Sequence, residues 1–193
     1  MRIQFKIAAA MFALAVFTPA AANTNDVTST IVEESDGTRT LIHEVQIDAP
    51  VELVWWTLST ADGWTTWGPR FAHFDLRHGG LIETGYHEGA ERNDPRNIKH
   101  RIIAFVPQRM LAIQVEHAPA GGPVDIEAIK NVWGVYDLEP LGEDRTLLRI
   151  SGVGYGSDEA SSQILEFFKS GNVYSINLMR RNLAARIEEQ SAE

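Results

Sequence analysis

The chain has 193 residues, no cysteine and a formal net charge of −9. Without cysteine there is no disulfide framework, no thiolate metal site and no cysteine nucleophile. An acidic chain whose positive charges are scattered, with Arg180-Arg181 only a pair, is not expected to bind nucleic acid or an anionic membrane surface.

The chain opens with a pattern read by export machinery. Arg2 and Lys6 give a positive start, residues 7–17 are an unbroken apolar run, Thr18-Pro19 breaks it, and Ala20-Ala21-Ala22 supplies a small-residue cleavage site. The run is shorter than the ~20 apolar residues a spanning helix needs. It therefore predicts a cleavable signal peptide over residues 1–22, with cleavage near Ala22 and a periplasmic or secreted product. No later stretch predicts a membrane span. The remaining length of about 170 residues suits one domain.

Residues 23–37 read as a polar tether with a possible extra strand, closed by the hairpin signal Asp36-Gly37. From 38 to 47, Leu41, His43, Val45 and Ile47 alternate with Glu44 and Gln46, predicting a strand. Pro50 suits a helix start, and Val51, Val54, Trp55 and Leu58 recur at helical spacing over 51–60. Asp62-Gly63 reads as a turn, and 64–69 as one more helical turn. Six short strands follow, near 71–77, 81–87, 98–105, 111–117, 132–139 and 146–153, divided by glycine- and proline-bearing turns. Residues 124–130 predict a small helical insert in an otherwise long connection. The stretch 158–189 contains no proline and one glycine. Ile164, Phe167, Phe168, Tyr174, Leu178 and Leu183 form the stripe of a long C-terminal helix.

This order predicts an α+β fold: a curved antiparallel sheet wrapped around a long C-terminal helix, with two short helices after the first strand. Particular residues strengthen it. Ala49-Pro50-Val51-Glu52-Leu53-Val54-Trp55 with Trp64 and Trp67, and Asp75-Leu76-Arg77-His78-Gly79-Gly80, resemble the opening half of the SRPBCC superfamily (START-like, birch-pollen-allergen-like). So do Phe105-Val106-Pro107-Gln108-Arg109-Met110-Leu111 and the run from Asp137 to Tyr155 for its second half. The branch of closest resemblance is that of the activators of heat-shock-chaperone ATPase. The resemblance implies a helix-grip domain over residues 38–190. It also implies a cavity between sheet and helix that takes hydrophobic small molecules; it implies no catalytic signature.

On that frame the residues expected to line the cavity are His43, Trp64, Trp67, Phe71, Tyr86, His117, Tyr136, Tyr155, Phe167, Phe168 and Tyr174. Each aromatic equally suits plain core packing. The leading expectation is an exported binding protein for a hydrophobic or amphipathic small molecule. The alternatives are a cyclase- or hydrolase-like enzyme, using His43 or His117 with Glu116 or Tyr136, and an envelope protein-interaction module. No cofactor is expected: neither a P-loop nor a Gly-x-Ser-x-Gly elbow occurs. Nor is a metal, because alternation parts His73 from His78. Gly152-Val153-Gly154-Tyr155-Gly156 reads as a strand bend. At Gly152, where many relatives carry a polar side chain, the missing group is expected to enlarge the cavity and remove a polar handle.

Overall fold

The computed structural model describes residues 26–122 and 124–192; the leader expected over 1–22 lies outside the described residues. Eight strands form one antiparallel, unclosed sheet in the order β1-β2-β8-β7-β6-β5-β4-β3. They are β1 (Thr28–Glu33), β2 (Arg39–Ile47), β3 (Phe71–Phe74), β4 (Leu81–Gly85), β5 (Ile98–Val106), β6 (Met110–His117), β7 (Trp133–Pro140) and β8 (Thr146–Tyr155). The helices are α1 (Val51–Ser59), α2 (Ala61–Thr65), α3 (Ile126–Ile129) and α4 (Glu159–Ser191), and α4 lies across the concave face. Among the described residues no helix is long and apolar enough to cross a membrane.

The expected tether gives way at Thr28 to the extra strand allowed for there. It pairs with β2 along its whole length through the predicted hairpin, where Gly37 takes φ +83°. All six β1 residues are exposed, so its pairing leaves no apolar periodicity to read. The region after α1 also differs from expectation. Thr60 leaves helical geometry and caps α2, accepting a hydrogen bond from the Gly63 N–H at 3.0 Å. Asp62 and Gly63 therefore lie inside a helix rather than a turn. Gly63 is required there for close approach, because a Cβ would stand 2.3 Å from the Trp56 carbonyl oxygen. Strand β3 stops at Phe74, short of the expected 77. A tight turn follows, with Gly79 at φ +72° and Gly80 packed on the Asp75 carbonyl.

Helix α4 starts where Asp158 accepts from the Ser161 N–H at 2.9 Å. Its buried positions are Ser161, Ile164, Leu165, Ile176, Met179 and Leu183. The core they cover has two parts. Val54, Leu58, Trp64, Ile102, Leu138, Ile176 and Met179 pack under the second half of α4. Leu41, Val124, Ile129, Tyr155 and Leu165 pack under its first half, beneath α3. The space between these parts contains the site.

Candidate functional site

Alternation along β8 puts Leu148 and Ile150 on the inner face and Val153 on the outer one. Continued unbroken, it would also send Tyr155 outward. Instead Gly154 takes φ +96°, and the β2 register slips between Arg39, opposite Tyr155, and Thr40, opposite Val153. This one-residue bulge turns Tyr155 back into the interior, where 2% of it is exposed. Its ring comes to rest over Gly152: a Cβ at that glycine would stand 2.6 Å from the Tyr155 hydroxyl oxygen. The glycines thus bend the strand as expected. The expectation that Gly152 removes a polar handle is corrected, because the Tyr155 phenol occupies the vacated space and restores a hydroxyl.

Gly134 on β7 lies directly opposite Gly152, leaving the sheet bare at this point. Over that floor is a cavity with a free volume of about 90 Å³. Its apolar wall includes Ile113, Val115, Trp133, Ile150 and Phe168, and His100, Tyr136, Ser151, Tyr155 and Asn172 are its polar lining residues. No Lys, Arg, Asp or Glu side chain is among the described lining residues.

The electrostatics follow from this. Burial raises the pKa of Tyr136 well above the ordinary tyrosine value, and the nearby hydroxyls of Tyr86 and Tyr155 raise it further. Burial likewise raises that of Tyr155. Both phenols therefore remain protonated donors. His100 is pushed down to about 4 by burial, against a smaller raising contact with the Ile82 carbonyl, and is neutral at physiological pH. Its Nδ1 is buried with no hydrogen-bond partner, and its ring meets Trp64 edge-on with centroids 5.7 Å apart. A buried imidazole nitrogen without a partner is costly in a finished core. Here that nitrogen belongs to a residue of the cavity wall and is covered as the cavity stands.

The residues named from sequence divide cleanly. Tyr136, Tyr155 and Phe168 line the cavity. Trp64 and Trp67 do not: they are 1% and 8% exposed, and each gives its indole N–H to a carbonyl of α1, Leu58 at 2.7 Å and Thr57 at 3.3 Å. They are core. Phe71 sits on the outer face, because its neighbours Ala72 and Phe74 pack inward. Tyr86 is 50% exposed, stands beside Gly68 and is not among the residues lining the cavity, although burial raises its pKa. His43 is fully buried but sits apart from the cavity, with Nδ1 2.9 Å from the Ser29 hydroxyl and Nε2 unpartnered. Burial lowers its pKa. His117 is exposed, beyond the cover of the helices, with Nε2 3.2 Å from the Pro95 carbonyl. Glu116 beside it is also exposed and pairs with Arg101.

Two aromatics of the expected helix stripe face solvent, Phe167 at 43% and Tyr174 at 65% exposure. Of that stripe Ile164 and Leu183 are buried and Phe168 half-buried, and the inward face is completed by Leu165, Asn172, Ile176 and Met179. His100, Trp133 and Asn172 are site residues that the sequence expectation omits. For His100 a signal existed, since it alternates with Ile98 and Ile102 on β5.

The comparisons agree with this architecture. Residues 38–188 match the family described as polyketide cyclase/dehydrase and lipid transport. No curated protein matches the chain. Among solved structures, the fold is similar to protein MLL2253 of Mesorhizobium loti, with TM-score 0.61 and 18% identity over 76% of this chain and 98% of that one. It is similar to CalU16 of Micromonospora echinospora, with TM-score 0.52 and 20% identity over 86% and 96%. It also resembles the Aha1 dimer of Colwellia psychrerythraea, with TM-score 0.51 and 16% identity over 69% and 90%.

Proposed function

Starting from the fact that the chain belongs to the polyketide cyclase/dehydrase and lipid transport family, we propose that it is an exported binding protein for a hydrophobic or amphipathic small molecule. The observation that carries this reading is the cavity over Gly134 and Gly152, with apolar walls and uncharged polar groups at one side. Sites for small molecules commonly combine these features, at volumes of roughly 300–1,000 Å³. The free volume here is about 90 Å³, and the Tyr155 ring takes up the space beside it. Ligand entry is therefore accompanied by a swing of Tyr155 off Gly152. The export half of the proposal rests on the leader pattern at residues 1–22.

Of the acid-base groups expected for the enzyme alternative, only Tyr136 lines the cavity; His117 and Glu116 are exposed and His43 is buried apart from it.

Two measurements test the proposal. Full-length chain expressed in a Gram-negative host should appear in the periplasmic fraction with a new N-terminus near Asn23; retention of the leader in the cytoplasm would refute export. Native mass spectrometry of the purified protein, followed by denaturation and extraction, should release an apolar compound. A clean apoprotein that also fails to bind naphthalene would refute the binding role.

A further inference from the structure

A cavity wall is informative about what it would leave unpaired. The described lining holds apolar side chains, the phenols of Tyr136 and Tyr155, the half-buried His100 imidazole and the neutral polar residues Ser151 and Asn172, with no charge of either sign. From this we infer that the cavity selects neutral ring compounds bearing a hydroxyl and rejects their carboxylate counterparts. The inference deepens the binding role proposed above and rests on it.

The selection has two physical parts. The first is exclusion of charge. A carboxylate brought against Ile113, Val115, Ile150 and Phe168 would lose its hydration with no cation in the described lining to replace it, and an unpaired buried charge costs far more than a buried hydroxyl. His100 does not supply the missing charge, since burial keeps its imidazole neutral.

The second part is recognition of the hydroxyl. His100 Nδ1 has no partner in the protein. A neutral imidazole offers one donor and one acceptor, and each phenol offers both. Whichever ring nitrogen carries the proton, a group that both gives and accepts a hydrogen bond fits this end of the cavity, and a hydroxyl does so in one atom. The Tyr155 phenol, folded over Gly152, is itself a hydroxylated ring and shows that the space accepts this shape.

The test uses three probes of one ring system on the wild-type full chain at about pH 7, with dissociation constants from calorimetry. Naphthol is neutral there, naphthoate is an anion and naphthalene has no polar group. Naphthol should bind at least tenfold more tightly than naphthoate and about tenfold more tightly than naphthalene. His100→Phe and Tyr136→Phe should each bring naphthol towards the naphthalene value and leave naphthalene unchanged. Naphthoate binding as tightly as naphthol would overturn the exclusion of charge. Naphthol equal to naphthalene, or unaffected by both substitutions, would overturn recognition of the hydroxyl. In either case bound naphthalene would leave the general binding role standing. Failure of all three probes to bind would remove both that role and this inference.

Discussion

The two ends of the concave face use aromatic side chains in opposite ways. Beneath the second half of α4, Trp64 packs between Trp67 at 4.8 Å and Phe74 at 5.3 Å, and both indole N–H groups reach backbone carbonyls. Towards the first half, between the two parts of the core, Tyr136, Tyr155 and His100 line a space together with apolar side chains and the neutral Ser151 and Asn172. The difference lies in satisfaction rather than in composition. Aromatics whose polar atoms find backbone partners become core. Those whose polar atoms remain open, beside glycines that leave the sheet bare, form a site.

The comparison is most directly broken at Trp64. Trp64→Ala should cost about 3–5 kcal/mol in urea unfolding, as removal of a fully buried indole does. A loss below about 1 kcal/mol would mean that this end is not packed solid. At the other end, Gly154→Ala should cost about 1–3 kcal/mol through its positive φ. It should also expose Tyr155 to acrylamide quenching or nitration, which a purely local strain would not do.

Acid offers a third test. His100 and His43 are both held neutral by burial, so as pH falls below the ordinary value of 6.5 the unfolded chain takes up protons first. Stability should be at its full value above 6.5 and should fall between about 6.5 and 4. His100→Phe should flatten much of that slope, measured as the urea midpoint against pH. Asp36, Asp94 and Asp158 are held below their ordinary value of 3.8 by hydrogen bonds, so their contribution is lost only in stronger acid and does not overlap this window. The smallest effect is expected on the outer face of α4. Phe167→Ser and Tyr174→Ser should each change stability by no more than about 0.5 kcal/mol.

Much of the frame was legible in the sequence because it is carried by local periodicity. Alternation in β2 and β8 and the proline-free length of α4 each reveal an element without knowledge of its partners. The site was legible only in part. Tyr136, Tyr155 and Phe168 line the cavity, whereas Phe167 and Tyr174 face solvent, because an aromatic-rich helix offers several stripes and only contact with the sheet chooses one. Trp64 and Trp67 could not be told from cavity residues, since their hydrogen bonds to α1 depend on how α2 folds back. His117 continues an apolar alternation past the edge of the layer, which periodicity does not mark. The role of Gly152 depends on a bulge two residues further on, a non-local consequence of pairing with β2.

The Gly154 bulge finally bears on binding strength. By turning Tyr155 inward it gives the protein a tethered competitor for its own cavity, one that is never diluted. The observed affinity for any ligand is then the intrinsic affinity multiplied by the fraction of molecules with the ring withdrawn. An open fraction of about one in a hundred would weaken apparent binding about a hundredfold without altering a single ligand contact. On the proposed binding role, affinity would be set partly by the backbone of β8, and a change at Gly154 would retune it from outside the cavity.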